Sequence, residues 1–144
     1  MTRYLLDVNV LIALIDPAHM QHDRAHEWFA ATGKQAWATC PLTQNGVLRI
    51  VGSARYPNSP GNPAVVAPIL SGLLAHDGHE FWAEDISLFD SALVDPTRLL
   101  DSAQITDSYL LALASAHDGQ LATFDRRLVA DAVRNGRQAL HVIG

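Results

Sequence analysis

The 144 residues suffice for one domain with a real core but not comfortably for two, and 49% hydrophobic against 17% charged residues excludes a disordered chain. A net charge of −5 argues against holding nucleic acid by overall charge, although the cations, nine arginines and the single Lys34, leave room for a local basic rim. No window reaches the ~18–20 continuous apolar residues of a membrane span, Asp7 interrupts what could otherwise be a secretory signal, and the lone Cys40 excludes an intrachain disulfide, so a cytoplasmic setting is expected.

In chain order, residues 3–8 read as a short buried strand and 10–15 as a helical turn that Pro17 breaks. An amphipathic helix is predicted over 21–31, closed by Gly33, then a strand over 36–39. Residues 41–51 read as a helix with proline in its first turn. The stretch SARYPNSPGNP (53–63) is the one clear loop, expected to cover one side of a site. A helix over 64–75 and a strand within 79–85 follow, then short helical turns over 87–100. The pattern Tyr109, Leu110, Leu113, Ala116 predicts a helix over 106–116 stopped by Gly119. A strand over 121–124, a helix over 126–134 and a strand over 139–143 complete the chain. Alternating strands and helices imply one domain over 1–144 of the α/β class, with a mainly parallel sheet covered on both faces.

Three aspartates fall at equivalent places in this scheme. Asp7 stands at the end of the first strand, Asp125 directly after LATF, and Asp107 in the first turn of the helix that begins near Thr106. In a parallel sheet the carboxyl ends of strands and the amino ends of the adjoining helices share one edge, where ligand sites form. Asp107 and Asp125 could each be simple helix-start residues. Asp7 is harder to explain that way, because a carboxylate in so apolar a stretch is costly unless it is paired or bound to a cation. Gathered together the three would repel, and an all-oxygen set suits Mg²⁺ or Mn²⁺, ions that serve phosphodiester hydrolysis.

The motif LLDVNVLIAL resembles the opening of PIN domains, and ITDSYLLALASAHDGQLATFDRRL (105–128) resembles their closing block. WATCPLTQNGVLRIV and HEFWAEDISLFD between them are similar to a subgroup of VapC-type toxins from bacterial toxin–antitoxin pairs. The resemblance spans essentially the whole chain. It implies a three-layer α/β/α sandwich with a five-stranded parallel sheet, Mg²⁺- or Mn²⁺-dependent endoribonuclease activity, a homodimer, and neutralisation by a VapB-type antitoxin. Asp7, Asp107 and Asp125 then match the first, third and fourth acidic ligands, and Asn9 matches the small polar residue that orients Asp7 or a water. Thr123 is expected to support Asp125 by hydrogen bonding. The second acidic position, usually glutamate, is Gln44 here, which removes a charge and weakens binding of a second cation.

Other residues are weighed against plainer roles. His22 and His26 share a helix face but lack a third ligand, so capping or solvation is expected. Trp28, Trp37 and Trp82 are expected in the core or a dimer interface, and Asp85 and Asp90 in local caps. Arg49, Arg55, Arg126 and Arg127 are candidates for RNA phosphate contacts, with salt bridging as the plainer alternative. Two other functions stay open. One is a catalytically weakened PIN domain that binds antitoxin or RNA. The more remote one is a haloacid-dehalogenase-type phosphatase, which wants an aspartate where Asn9 stands and a lysine far downstream of Lys34.

Overall fold

Five short parallel strands, in the order β3-β2-β1-β4-β5, form the centre of the computed structural model, which describes all 144 residues. The strands are β1 (Tyr4–Leu6), β2 (Trp37–Thr39), β3 (His79–Phe81), β4 (Gln120–Thr123) and β5 (Leu140–Val142). The helices are α1 (Val8–Ile15), α2 (His22–Ala31), α3 (Pro41–Val51), α4 (Pro63–Leu74) and α5 (Ile105–Ala116).

The period-two alternation of strand side chains divides the core into two layers. Leu6, Trp37 and Ala122 face α1 to α4, together with Val10, Leu11, Phe29, Val47 and Val66. Leu5, Ala38 and Leu121 face the opposite side, where α5 contributes Leu110, Leu111 and Leu113. The three-layer α/β/α arrangement expected from the sequence is therefore present. Trp37 and Trp82 are buried in it, and Trp28 is half-buried against Tyr4 and His141. No helix is long and apolar enough to cross a membrane.

β1 is central, with β2 and β3 on one side and β4 and β5 on the other. The chain crosses over β1 only after β3, so the strand order reverses between β1 and β4. That reversal opens a crevice at their carboxyl ends. α5 leads into β4 from the opposite direction, which brings its amino end to the same edge.

Two expectations are corrected. The helix predicted over 126–134 does not form. Val94 and Val133 instead make an antiparallel bridge. The Asp95 and Arg134 amides donate to Ala132 O and Leu93 O, so these backbone groups are spent on the 93–95 segment rather than on a helix. Residues 87–100 are mostly turns, with one 3-10 turn at Pro96–Arg98. In addition, α1 starts at Val8 rather than residue 10, with Asp7 as its N-cap.

Two glycines test the packing in opposite senses. A Cβ at Gly78 would lie 1.9 Å from the Lys34 carbonyl oxygen, whereas one at Gly72, exposed within α4, would meet nothing. Gly78→Ala is expected to lower the free energy of urea unfolding by at least about 2 kcal/mol. Gly72→Ala should raise it by about 0.5–1 kcal/mol through helix propensity.

Candidate functional site

The crevice between β1 and β4 is organised by one hydroxyl. Asp7 lies just beyond the β1–β4 pairing, its amide donating to Ala122 O at 2.9 Å, and it faces Thr123. Thr123 Oγ1 donates to Asp7 Oδ2 at 2.8 Å and accepts from Asn9 Nδ2 and the Asp125 backbone amide, each at 3.1 Å. Both residues of the Asp7–Thr123 pair are buried. Asp7 Oδ1 accepts from the Val8 amide at 2.8 Å, so the same carboxylate caps α1.

Asn9, expected to orient Asp7 or a water, makes no hydrogen bond to Asp7 itself: its amide nitrogen donates to Thr123 and its carbonyl oxygen accepts from the Phe124 amide at 3.2 Å. With both ends engaged it acts on Asp7 only through Thr123. It also leaves no second acid beside Asp7, as a haloacid-dehalogenase mechanism would require. Thr123 supports Asp125 through the backbone amide, not the carboxylate.

Asp107 enters from α5 and is electrostatically linked to the other two aspartates. Partial burial, then the charges of Asp7 and Asp125, push its carboxyl up to about 6. Burial likewise raises Asp7, with the Asp125 charge adding to it, against the opposing hydrogen bonds from Thr123 and the Val8 amide. Asp107 has no hydrogen-bond partner, and Asp125 uses only Oδ1, which accepts from the Arg127 amide at 2.9 Å. One residue along α5, the fully buried Ser108 Oγ also lacks a partner. Asp107, Asp125, Asp101 and Arg127 line one cavity of about 240 Å³.

This donor set fits a hard cation in its chemistry: oxygen atoms only, mutually repelling, with free lone pairs. No three acidic, histidine or cysteine side chains are gathered closely enough to enclose an ion by themselves. Water would therefore complete the shell, as suits Mg²⁺, which keeps several of its waters.

Gln44 is engaged elsewhere. Its Nε2 donates to Thr39 Oγ1 at 3.0 Å, and that hydroxyl lies 2.7 Å from His79 Nε2. A backbone hydrogen bond at Leu74 favours a proton on the His79 ring, while burial, the larger influence, lowers its pKa. Thr39 Oγ1 thus accepts from Gln44 and shares a hydrogen bond with the His79 ring. This relay ties α3 to β2 and β3, and Gln44 makes no hydrogen bond to any of the three aspartates.

The four candidate arginines, Arg49, Arg55, Arg126 and Arg127, are exposed and form no salt bridge. His22 and His26 cap α1, meeting the carbonyls of Ala13 and Leu14. Asp90 caps the Ala92 amide, and Asp85 lies 3.8 Å from His117. Sequence reasoning misses Asp16, which has no local signal but is buried and accepts from Tyr56, Asn58 and the Ala18 amide. These contacts fasten the 53–63 loop to the turn after α1.

The sequence matches the PIN domain family over residues 4–133. It is 45% identical to Ribonuclease VapC44 of Mycobacterium tuberculosis over 131 residues, covering 91% of this chain and 92% of that protein. It is 37% identical to Ribonuclease VapC39 of the same organism over 128 residues, 89% of this chain and 92% of that one. Among solved structures, it is similar in fold to VapBC2 from Rickettsia felis bound to a promoter DNA fragment. The TM-score is 0.60 at 14% identity, with 98% of each chain covered. PAE2754 from Pyrobaculum aerophilum gives the same TM-score at 21% identity, covering 96% of this chain and 83% of that one.

The raised Asp107 carboxyl has a consequence for stability. Between its unfolded value, 3.8, and its folded value of about 6, the folded state holds the extra proton, so stability falls as pH rises through that window. In metal-free protein, Asp107→Asn should remove about 1 kcal/mol of the stability loss between pH 4 and pH 7, after allowance for solvent screening. Urea unfolding across that range measures it, and an unchanged pH profile would contradict the coupling.

Proposed function

This chain is a PIN-domain protein of the VapC family, and from that membership we propose that it is a metal-dependent endoribonuclease, the toxin of a type II toxin–antitoxin pair. The observation that carries the proposal is the partnerless Asp107 carboxylate, raised to about 6 beside Asp7 and Asp125. Carboxylates left in mutual repulsion at a sheet crevice suit a cation site better than a structural one. Asp7, Asp107 and Asp125 would hold Mg²⁺ or Mn²⁺. When bound, such an ion would offset most of the repulsion among the three carboxylates and lower the pKa of a water, so that its hydroxide could attack phosphorus at neutral pH.

The chain's own residues supply position. Thr123 fixes Asp7 Oδ2, Asn9 fixes Thr123, and the Val8 amide fixes Asp7 Oδ1. The first acid is thus rigid before any ligand arrives. Arg126 and Arg127, exposed just after Asp125, would meet phosphate oxygens of RNA, and the exposed Arg49 and Arg55 would meet further phosphates. Hydrolysis joins the water oxygen to phosphorus, breaks the phosphorus–oxygen bond to the leaving ribose, and delivers a proton to that oxygen.

A VapB-type antitoxin is the proposed protein partner, supported by the similarity to VapBC2. The proposed assembly is a homodimer. A second reading, a weakened domain that mainly binds antitoxin or RNA, is favoured by one observation. Gln44 is neutral and held by Thr39, so the site has three carboxylates where four are usual.

RNA cleavage with and without Mn²⁺ separates the two readings. Wild type should cleave only with the ion, and Asp7→Asn should lose about 100-fold or more. Undiminished cleavage by Asp7→Asn would refute the site. Tight antitoxin binding with no metal uptake and no cleavage would favour the binding module.

A further inference from the structure

A cavity of about 610 Å³ lies apart from the three aspartates, between the turn after α1 and the 53–63 loop. Its size is within the roughly 300–1,000 Å³ of small-ligand clefts. Arg24, Tyr56 and Asn58 are among the residues that line it. Arg24 places it on the catalytic edge of the sheet. The guanidinium sits 5.5 Å from the Phe124 ring centroid, and its Nη2 donates to Ile143 O at 3.4 Å. Phe124 and Ile143 are the residues that follow β4 and β5, and Phe124 directly precedes Asp125. The cavity and the acidic crevice therefore flank the carboxyl end of β4 from two sides.

The lining is preorganised from beneath. The buried Asp16 carboxylate accepts from the Tyr56 hydroxyl, from Asn58 Nδ2 at 3.1 Å and from the Ala18 amide at 2.9 Å. Burial opposes that charge, but these hydrogen bonds hold its pKa below the usual carboxylate value. With the Tyr56 hydroxyl and the Asn58 amide nitrogen tied down, the aromatic ring and the Asn58 carbonyl oxygen are the groups left to a ligand. Arg24 and the neighbouring exposed Arg55 form no salt bridge, on a chain whose net charge is −5. The Arg24 guanidinium, the Tyr56 ring and the Asn58 carbonyl oxygen, lining one cavity, match an anion that carries a planar base.

We propose that this cavity is a subsite for single-stranded RNA, seating a nucleotide that flanks the scissile phosphodiester. Its base lies against Tyr56 and its phosphate meets Arg24. The inference rests on the ribonuclease reading and assigns to this chain where the substrate strand runs. Asp16 is a positioning residue in it, acting through Tyr56 and Asn58.

The test uses full-length protein carrying Asp7→Asn to prevent cleavage, and a fluorescein-labelled eight-nucleotide single-stranded RNA followed by anisotropy. Arg24→Gln should weaken binding about tenfold and lower the slope of log affinity against log salt by about 0.7, as expected for one lost phosphate contact on a single strand. Tyr56→Leu should weaken binding about five- to tenfold, the scale of one lost base stack, with the salt slope retained. Circular dichroism confirms that each variant is folded, and Arg24→Gln leaves the loop's attachment to Asp16 in place should Tyr56→Leu fail to fold. Unchanged affinity and salt slope in folded Arg24→Gln would overturn the proposal, as would an affinity loss for a protein partner alone. Cleavage of RNA by the wild type is read separately. If the wild type cleaves while these variants bind normally, the subsite fails and the ribonuclease reading stands.

Discussion

A single buried hydroxyl, Thr123 Oγ1, holds the site together. It donates to Asp7 and accepts from Asn9 and the Asp125 amide, so one atom joins the end of β1, the start of α1 and the turn after β4. A buried carboxylate is tolerated only when its lone pairs are satisfied. Here that requirement and the geometry of the strand-order reversal between β1 and β4 coincide. The chain can bury Asp7 only by fixing the segment that presents Asp125, and α5 brings Asp107 close enough for the three charges to interact. What stabilises the fold at this edge also concentrates negative charge there.

The opposition between those two effects gives the site its character. Thr123 and the Val8 amide satisfy Asp7, but nothing satisfies Asp107, and its carboxyl rises to about 6. Elsewhere the molecule treats buried acid differently. Asp16, buried where Asp107 is only half-buried, has three donors and is held in its charged form. The contrast is between a satisfied carboxylate that fastens a loop and an unsatisfied one at the sheet crevice.

Much of this was legible in the sequence because the signals were local. The apolar runs at 4–6 and 121–124, the aspartate directly after each run, and the period of Leu110 and Leu113 are all encoded by neighbours in the chain. The missed features depend on distant partners. The segment after Asp125 has a plausible helical pattern, but pairing with residues 93–95 takes its backbone groups. Gln44 occupies the position of an expected ligand, yet its amide is directed by Thr39 and His79, the latter 35 residues farther along and on another strand. Asp16 has no local signal, because only the return of the 53–63 loop makes it a buried anchor.

The central claim is that Asp7, Asp107 and Asp125 form a set of carboxylates completed by a divalent cation. Calorimetric titration of metal-free protein with Mn²⁺ near pH 6, repeated in buffers of different ionisation enthalpy, tests it most directly. An ion entering beside a carboxyl poised at about 6 must displace its proton. The account predicts saturable binding with release of roughly half a proton per ion, both lost in Asp107→Asn. Binding without proton release, or binding unaltered by that substitution, would contradict it.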